Sequence, residues 1–502
     1  MKTIIYAVII FVLIESNAAS NRKIMIDPTS ACSIGCSGST IQPFNNLLSA
    51  MQAEFPEAQL EYVLYNNENP HYLLSQEGLP SDVAETIDQI FSLNREITIR
   101  ALYCDDLEVI NNEVNPEACI DHSRHVKVVL KNQLTTWLIQ NKLTVKNIDF
   151  DGIEDIAQYN SDPSVGDCIY YRKKCCNQGS STSVYPPLLC SVNSKVLNNS
   201  QFTNGFFVLN QSQGVLEIEN CLFQNIVFSQ KSSWITVLQG QSLVIRDTLI
   251  ENDFFPYGFI SGNISSVELS NFEMDNITFA NSNPYKWNFS RDLTFRGTLI
   301  NIRGFSTHTT LLLSDMITEN HDLINPESIF FCGANCVIES TNFTIKNISL
   351  TTNFTNLIFL QNSSLSIEGI KIESINATSS SIISIDQAST FRISHGQIHK
   401  NIIGNLKAAF SIQNSSSSVI FNVSVTSNTF LDSQNGNSFW LCGDWSTCSF
   451  QNVQVAENIF NSGWMFTHIQ DYSQLNLDDF VVKENIFPNG TLNQKILSLY
   501  YF

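Results

Sequence analysis

The sequence predicts an all-β solenoid in which short parallel strands stack rung on rung, a parallel β-helix. Three observations predict it. In residues 363–377, SSLSIEGIKIESINA, Leu365 and Ile367 alternate with polar residues, Ile370 and Ile372 alternate again after a break, and Ser374 closes the unit. That is the signature of two half-buried strands joined by a bend. The spacing then recurs along the chain, with copies starting at Leu216, Leu243, Val267, Leu311, Ile338, Leu365, Phe391, Val419, Cys448 and Leu475. From Ile338 onward they lie about 27 residues apart, a solenoid period. Finally, a third apolar stretch precedes each unit, as at 234–238, 357–360, 381–385 and 439–441, and no helical periodicity intervenes. Leu243, Leu365 and Leu475 are therefore expected in one inward column.

Asparagine recurs at the end of the unit. Asn225, Asn252, Asn276, Asn320, Asn347 and Asn428 share one repeat position, and Asn401, Asn458 and Asn485 follow one residue later. Asparagine tolerates the left-handed backbone of a tight bend, and stacked side-chain amides can bond from rung to rung. On this reading Asn276 and Asn347 point inward.

The first residues read as an export signal. Lys2 supplies the charge, residues 4–14 the apolar run, and Asn17-Ala18-Ala19-Ser20 the small-residue exit. The run is too short to span a bilayer, and no later stretch is long and apolar enough either. Residues 1–20 are thus expected as a signal peptide, 21–156 as a cap with irregular first rungs, 157–192 as a Cys-rich loop insertion, and 193–502 as regular rungs. The expected location is extracellular, secreted or at the cell surface.

The cap begins with a strand at 23–27. A turn containing Gly38 follows, and from Pro43 the pattern turns helical, with Phe44, Leu47, Leu48 and Met51 on one face. Such a cap covers the open edge of the first rung. Strands are expected at 60–64, 97–102 and 126–130, and the repeat spacing appears at Leu143, Val145, Ile148, Phe150 and Gly152. The wide gap between Val267 and Leu311 marks an insertion. At the far end residues 495–502 read as the first strand of a further rung, so the chain is expected to be part of a longer protein.

Together, the strand, the Gly-Ser-Thr turn, the helix and the repeats resemble the right-handed parallel β-helix of the pectate lyase and polygalacturonase superfamily. They resemble still more the secreted or surface β-helix proteins of protists. The resemblance implies a right-handed coil and says little about activity, because one fold carries many functions.

Composition narrows the function. The 502-residue chain has a net charge of −20, a pI near 4.7 and a mean hydropathy of −0.02. That balance argues against nucleic acid and anionic lipid as partners. Thirteen cysteines in an exported chain imply disulfides. Cys332 with Cys336, and Cys442 with Cys448, occupy equivalent places in their rungs and are expected to pair. Cys32 is expected to pair with Cys36, and Cys104 with Cys119. Cys168, Cys175, Cys176 and Cys190 allow three connectivities. Cys221, at an inward repeat position, reads as a buried free thiol. Sequons at Asn198, Asn210, Asn263, Asn288, Asn353, Asn362, Asn414 and Asn489 fall in expected turns and are candidates for N-glycosylation.

Chemistry is sparse. Asp149, Asp151, Glu154 and Asp155 form the densest acidic run and are the candidate ligands for Ca²⁺, the one cofactor considered. Arg124 and Lys127 are candidate bases beside it, and a solvated acidic face is the plainer reading. His395-Gly396 resembles one polygalacturonase element, but neighbouring rungs lack the paired aspartates that glycoside hydrolysis requires. Trp440, between Phe439 and Leu441, is expected to face outward, and Trp234 is considered with it as an aromatic that could stack on sugar rings. They do not fall at matching positions of adjacent rungs, so core-edge packing or isolated surface aromatics is the plainer reading. Three functions follow: a non-enzymatic protein presenting loops for adhesion or recognition of glycans or surface proteins, a divergent polysaccharide lyase or glycoside hydrolase, or the ectodomain of a larger membrane protein.

Overall fold

The structure, a computed structural model, describes most of residues 21–151, 207–275 and 298–499. Residues 1–20, 152–206, 276–297 and 500–502 lie outside it, as do the shorter segments 33–34, 67–70, 74–89, 107–118, 131–135, 225–232, 252–258, 304–308, 315–316, 320–321, 324–327, 334–335, 351–355, 378–380, 405–407, 432–436, 462–463 and 488–496. The signal peptide, the Cys-rich loop and Trp287 thus fall outside the described residues, as do Glu154, Asp155 and the four cysteines from Cys168 to Cys190.

The architecture is a solenoid of parallel strands: one sheet of 30 strands winds along the molecule and a second sheet of six lies beside it. Equivalent strands of successive rungs pair in parallel register, so Leu243, Val267, Leu311, Ile338, Leu365, Phe391, Ser418, Cys448 and Leu475 form a single column. The expected column through Leu243, Leu365 and Leu475 is therefore present. Val267 and Leu311 are one rung apart despite the long connection between them. Aromatic rings stack along the interior: Phe150 on Phe223 at 5.1 Å, Phe410 on Trp440 at 4.5 Å and Phe430 on Phe460 at 4.4 Å.

The cap is built as its sequence suggests. The first strand, Asn21–Ile26, pairs with Gln59–Leu64 on one side. On its other side residues 38–44 cover the edge: the Met25 amide donates to the Gly38 carbonyl (2.8 Å) and the Phe44 amide to the Met25 carbonyl (3.0 Å). Gly38 sits at φ +69°, and a Cβ there would lie 2.7 Å from Ile24, which is why the turn needs glycine. Asn46 caps helix α1 (Leu47–Gln52) by accepting from the Ser49 amide at 2.7 Å. The helix buries Leu47 and Ala50, with Phe44 and Phe55, over Ile24 and Ile26.

Bends between strands carry three recurring columns. Before the strand that begins each unit runs a serine ladder. The amides of Ser363, Ser389, Ser416 and Ser446 each donate to the hydroxyl of the next serine, at 3.1–3.2 Å, ending on Ser473. Between the two strands a left-handed residue turns the chain: Asn342, Gly369, His395, Asn422, Asn452 and Asp479. After the second strand stands an asparagine ladder of the buried Asn401, Asn428 and Asn458, ending on the half-buried Asn485.

Two expectations need correction here. Ser418, not Val419, takes the inward position of its rung, and Val419 is exposed. The unit 419–428 therefore slips by one residue, and Asn428 joins Asn401, Asn458 and Asn485 rather than Asn347. Asn347 is exposed at φ +53°, on the outer bend rather than inward. The third strand also begins differently from the expectation. It is preceded by a two-residue strand that follows the bend after the unit's second strand, such as Asn376–Ala377, Ile402–Ile403 and Thr429–Phe430, and these together form the second sheet.

Cys32 is bonded to Cys36, Cys104 to Cys119 and Cys442 to Cys448. Cys336 is disulfide-bonded too, and the Cys332 side chain lies outside the described residues. Cys221 is a buried free thiol, its Sγ 3.6 Å from the Val145 carbonyl oxygen. Burial pushes its pKa up to about 12, so almost no nucleophilic thiolate forms near neutral pH. Iodoacetamide at mildly alkaline pH is expected to leave Cys221 unmodified in the native protein and to label it fully in denaturant. Peptide mass mapping checks this, and native labelling would contradict the packing.

Candidate functional site

The acidic run is occupied by its own neighbours. Strand Ile148–Asp151 lies between Val126–Leu130 and Leu222–Gln224. Asp151 is 2% exposed and pairs with Lys127 Nζ at 2.5 Å. Gln224 Nε2 donates to both oxygens of Asp149, at 2.8 and 2.9 Å. Burial holds the Asp149 carboxyl above the ordinary range. At Asp149 and Asp151, the described residues of the run, the expected solvated acidic face is thus half-buried and internally bonded. Arg124 faces elsewhere and pairs with Asp121. Among the described residues no group of three or more ligating side chains is placed to hold a metal ion.

His395 is an exposed bend residue at φ +56° before the inward Gly396, where a Cβ would meet Ile370 at 2.8 Å. Its ring lies edge-on to Phe421, and its role is a turn. Several other charged groups pair with one another. Arg100 bonds Glu61 at 2.5 Å and Asp106 at 2.6 Å, and Arg246 holds Glu268 through two hydrogen bonds. Lys371, His399 and Lys400 surround Glu373 at 2.7, 3.7 and 3.4 Å.

The two tryptophans singled out for sugar stacking are core. Trp234 is fully buried and Trp440 is 1% exposed, stacked on Phe410 and edge-on to Phe450. The run Phe439-Trp440-Leu441 has no polar alternation to set its phase. The register with Phe410 sets it instead.

The exposed aromatic pair lies elsewhere, at the bend that carries the serine ladder. Trp445 is 67% exposed and Tyr472 is 58% exposed, and their rings stack at 4.7 Å with planes 23° apart. They occupy the same bend position on adjacent rungs, where the Trp445 amide donates to the Asp471 carbonyl at 2.9 Å. One rung back the position is Ser415, whose amide donates to the Asp444 carbonyl, and two rungs back it is Ala388. The residues just before them are Gln387, Asn414, Asp444 and Asp471. All eight have φ between +52° and +67°.

Each bend therefore holds two consecutive left-handed residues followed by a serine, buried at Ser389, Ser416 and Ser446 and half-buried at Ser473. A disulfide from Cys442 to Cys448 closes the bend that presents Trp445. The small side chains of Ser415 and Ala388 leave the Trp445 ring standing as a ledge above them. A bulky residue in the left-handed region costs roughly 1–3 kcal/mol, and an exposed ring returns none of the burial that normally rewards an aromatic. Alanine and serine at the preceding rungs show that the bend itself does not require one.

The sequon asparagines divide between settings. Asn362 and Asn414 are exposed bend residues, whereas Asn210 ends a strand and Asn263 lies within the strand Ile260–Asp275 rather than in a turn. Asn198, Asn288, Asn353 and Asn489 are outside the described residues. No helix among the described residues is long and apolar enough to cross a membrane. No known family model, no curated protein and no solved structure matches this chain.

Proposed function

We propose that this protein is a secreted or surface-exposed β-solenoid that recognises glycans without cleaving them, and that Trp445 and Tyr472 form its binding ledge. The observation that carries the reading is the exposed, stacked aromatic pair at equivalent positions of adjacent rungs. A pyranose ring offers an apolar face of C–H groups that packs on an aromatic π face, while its hydroxyls reach polar groups at the rim. The ledge supplies both, because Asp444 and Asp471 each directly precede one of the rings in the chain. It stands on a rigid corner, held by the serine ladder and a disulfide, so little ordering entropy opposes binding. The disulfides and the signal-like first residues suit an extracellular setting.

The test is a glycan array followed by titration of tryptophan fluorescence, on protein made without N-glycosylation so that Asn414 is bare. Trp445→Ala is expected to weaken binding about tenfold or more, equivalent to about 1.4 kcal/mol, with an unchanged melting temperature. Binding that survives both Trp445→Ala and Tyr472→Ala would remove the ledge from the proposal. Release of reducing ends or unsaturated products from a bound glycan would establish an enzyme instead.

A further inference from the structure

We infer, resting on the glycan reading, that the ledge takes uncharged pyranosides and rejects glycans carrying uronate or sulfate. The four bend segments 386–389, 413–416, 443–446 and 470–473 contain three carboxylates, Asp386, Asp444 and Asp471, and no lysine, arginine or histidine. The nearest lysine or arginine along the chain is Arg392, on the strand after the first of these bends. Asp386 is engaged, accepting from the Gln387 amide at 2.9 Å and from Asn414 Nδ2. Asp444 and Asp471 differ: each is half-buried, and among the described residues only their backbone carbonyls accept hydrogen bonds, from Ser415 and Trp445. Their carboxylates stay available as acceptors, each one residue from an exposed ring.

Acceptor-only groups beside an aromatic face suit a ligand whose rim offers donors. The hydroxyls of a neutral hexose or N-acetylhexosamine can turn their O–H groups toward such acceptors and carry no negative charge, and a hydrogen bond to a charged acceptor is stronger than one between neutral groups. An anionic sugar meets the opposite situation. Its carboxylate or sulfate would stand beside Asp444 and Asp471 with no lysine, arginine or histidine in the four bend segments to offset the repulsion, on a chain whose net charge is −20. The bound ring lies over the small side chains of Ser415 and Ala388, against the face of Trp445.

Four hexasaccharides titrated against the unglycosylated protein decide the matter: cello-, chito- and oligogalacturonate, and a heparin fragment. Cellohexaose or chitohexaose is expected to bind, with the anionic pair at least about tenfold weaker. The double variant Asp444→Asn, Asp471→Asn keeps the left-handed bends, because asparagine tolerates them as well as aspartate. It is expected to narrow that gap at least about fivefold. Oligogalacturonate binding as tightly as the neutral chains, and lost in Trp445→Ala, would overturn the selectivity and leave the ledge standing. A gap unchanged in the double variant would also overturn it. Failure of all four to bind would overturn the glycan reading and this inference with it.

Discussion

Asn428→Ala is expected to destabilise the middle of the solenoid by about 4 kcal/mol, an effect reserved for breaking a buried hydrogen-bond network. Asn428 is fully buried. Its Oδ1 accepts from the Asn401 backbone amide at 3.0 Å and from Asn401 Nδ2 at 2.9 Å. Its Nδ2 donates to the Ile398 carbonyl at 3.0 Å and to Asn458 Oδ1 at 2.9 Å. Alanine deletes all four bonds and admits no side-chain replacement. The Asn401 amide is left without its acceptor inside the coil, and each such orphan costs about 1–3 kcal/mol.

The effect has a direction as well as a size. The amide of residue 428 itself still donates to Asn458 Oδ1 (2.9 Å), and the Ile375 amide still donates to Asn401 Oδ1. Native hydrogen exchange should therefore accelerate at Asn401 first and spread to its rung neighbours, while the cap near Ile24 is unaffected. That locality follows from a fold in which each rung touches only its neighbours. It is also why exchange is a better measure than one unfolding midpoint, since a long solenoid need not unfold in a single step. Uniform acceleration along the chain, or none at Asn401, would contradict the ladder.

How much of this was legible in the sequence depends on how strongly each feature is periodic. Strands with clean alternation, such as Ser364–Glu373, reveal both their period and their inward face, because a one-residue slip would move every apolar side chain to solvent. The rung at Ser418 shows the limit. There a serine takes the inward place of Phe391 and Cys448, and Val419, Ile420 and Phe421 follow as an unbroken apolar run. The run has no phase of its own, so the outward Val419 passes for the first inward residue, and the asparagine at its end shifts with it. Trp440 fails for the same reason. The two-residue strands of the second sheet are too short to show any period at all.

The exposed aromatic pair was missed for a different reason. Exposure of a single aromatic has no signature in periodicity, and Trp445 and Tyr472 stand in bends rather than strands. A signal was nonetheless present: Asp444-Trp445-Ser446 and Asp471-Tyr472-Ser473 repeat the same pattern one period apart. The serines that follow them share a column with Ser389 and Ser416. Aligning the chain on those serines, rather than on apolar residues, places both aromatics at one outward bend position.

A second large effect is expected at Gly262, where Ala should cost about 4 kcal/mol through backbone geometry rather than lost contacts. At the four corners 387–389, 414–416, 444–446 and 471–473 a left-handed pair and a serine turn the chain between the third strand and the next unit. Two rungs replace that corner with continuous strands, Ile235–Glu251 and Ile260–Asp275, whose register shifts between Val237 and Gly240. Gly262 pairs with Val237 at that irregularity and adopts φ +136°, a conformation open to glycine and strained for other residues. A Cβ there would lie 1.9 Å from the Val237 carbonyl oxygen and 2.7 Å from its carbon. Those atoms are backbone and cannot swing aside, so the corner must open or the ladder between the two strands must part. Gly240 is a control of graded severity: it has an ordinary φ, and its added Cβ would meet side chains of Val237 and Leu209 at 2.9–3.0 Å. Gly240→Ala is therefore expected to cost about 1–3 kcal/mol by overpacking, less than Gly262→Ala. Thermal unfolding of the two variants ranks them, and a Gly262→Ala protein as stable as the parent would show that the corner is not held in this conformation.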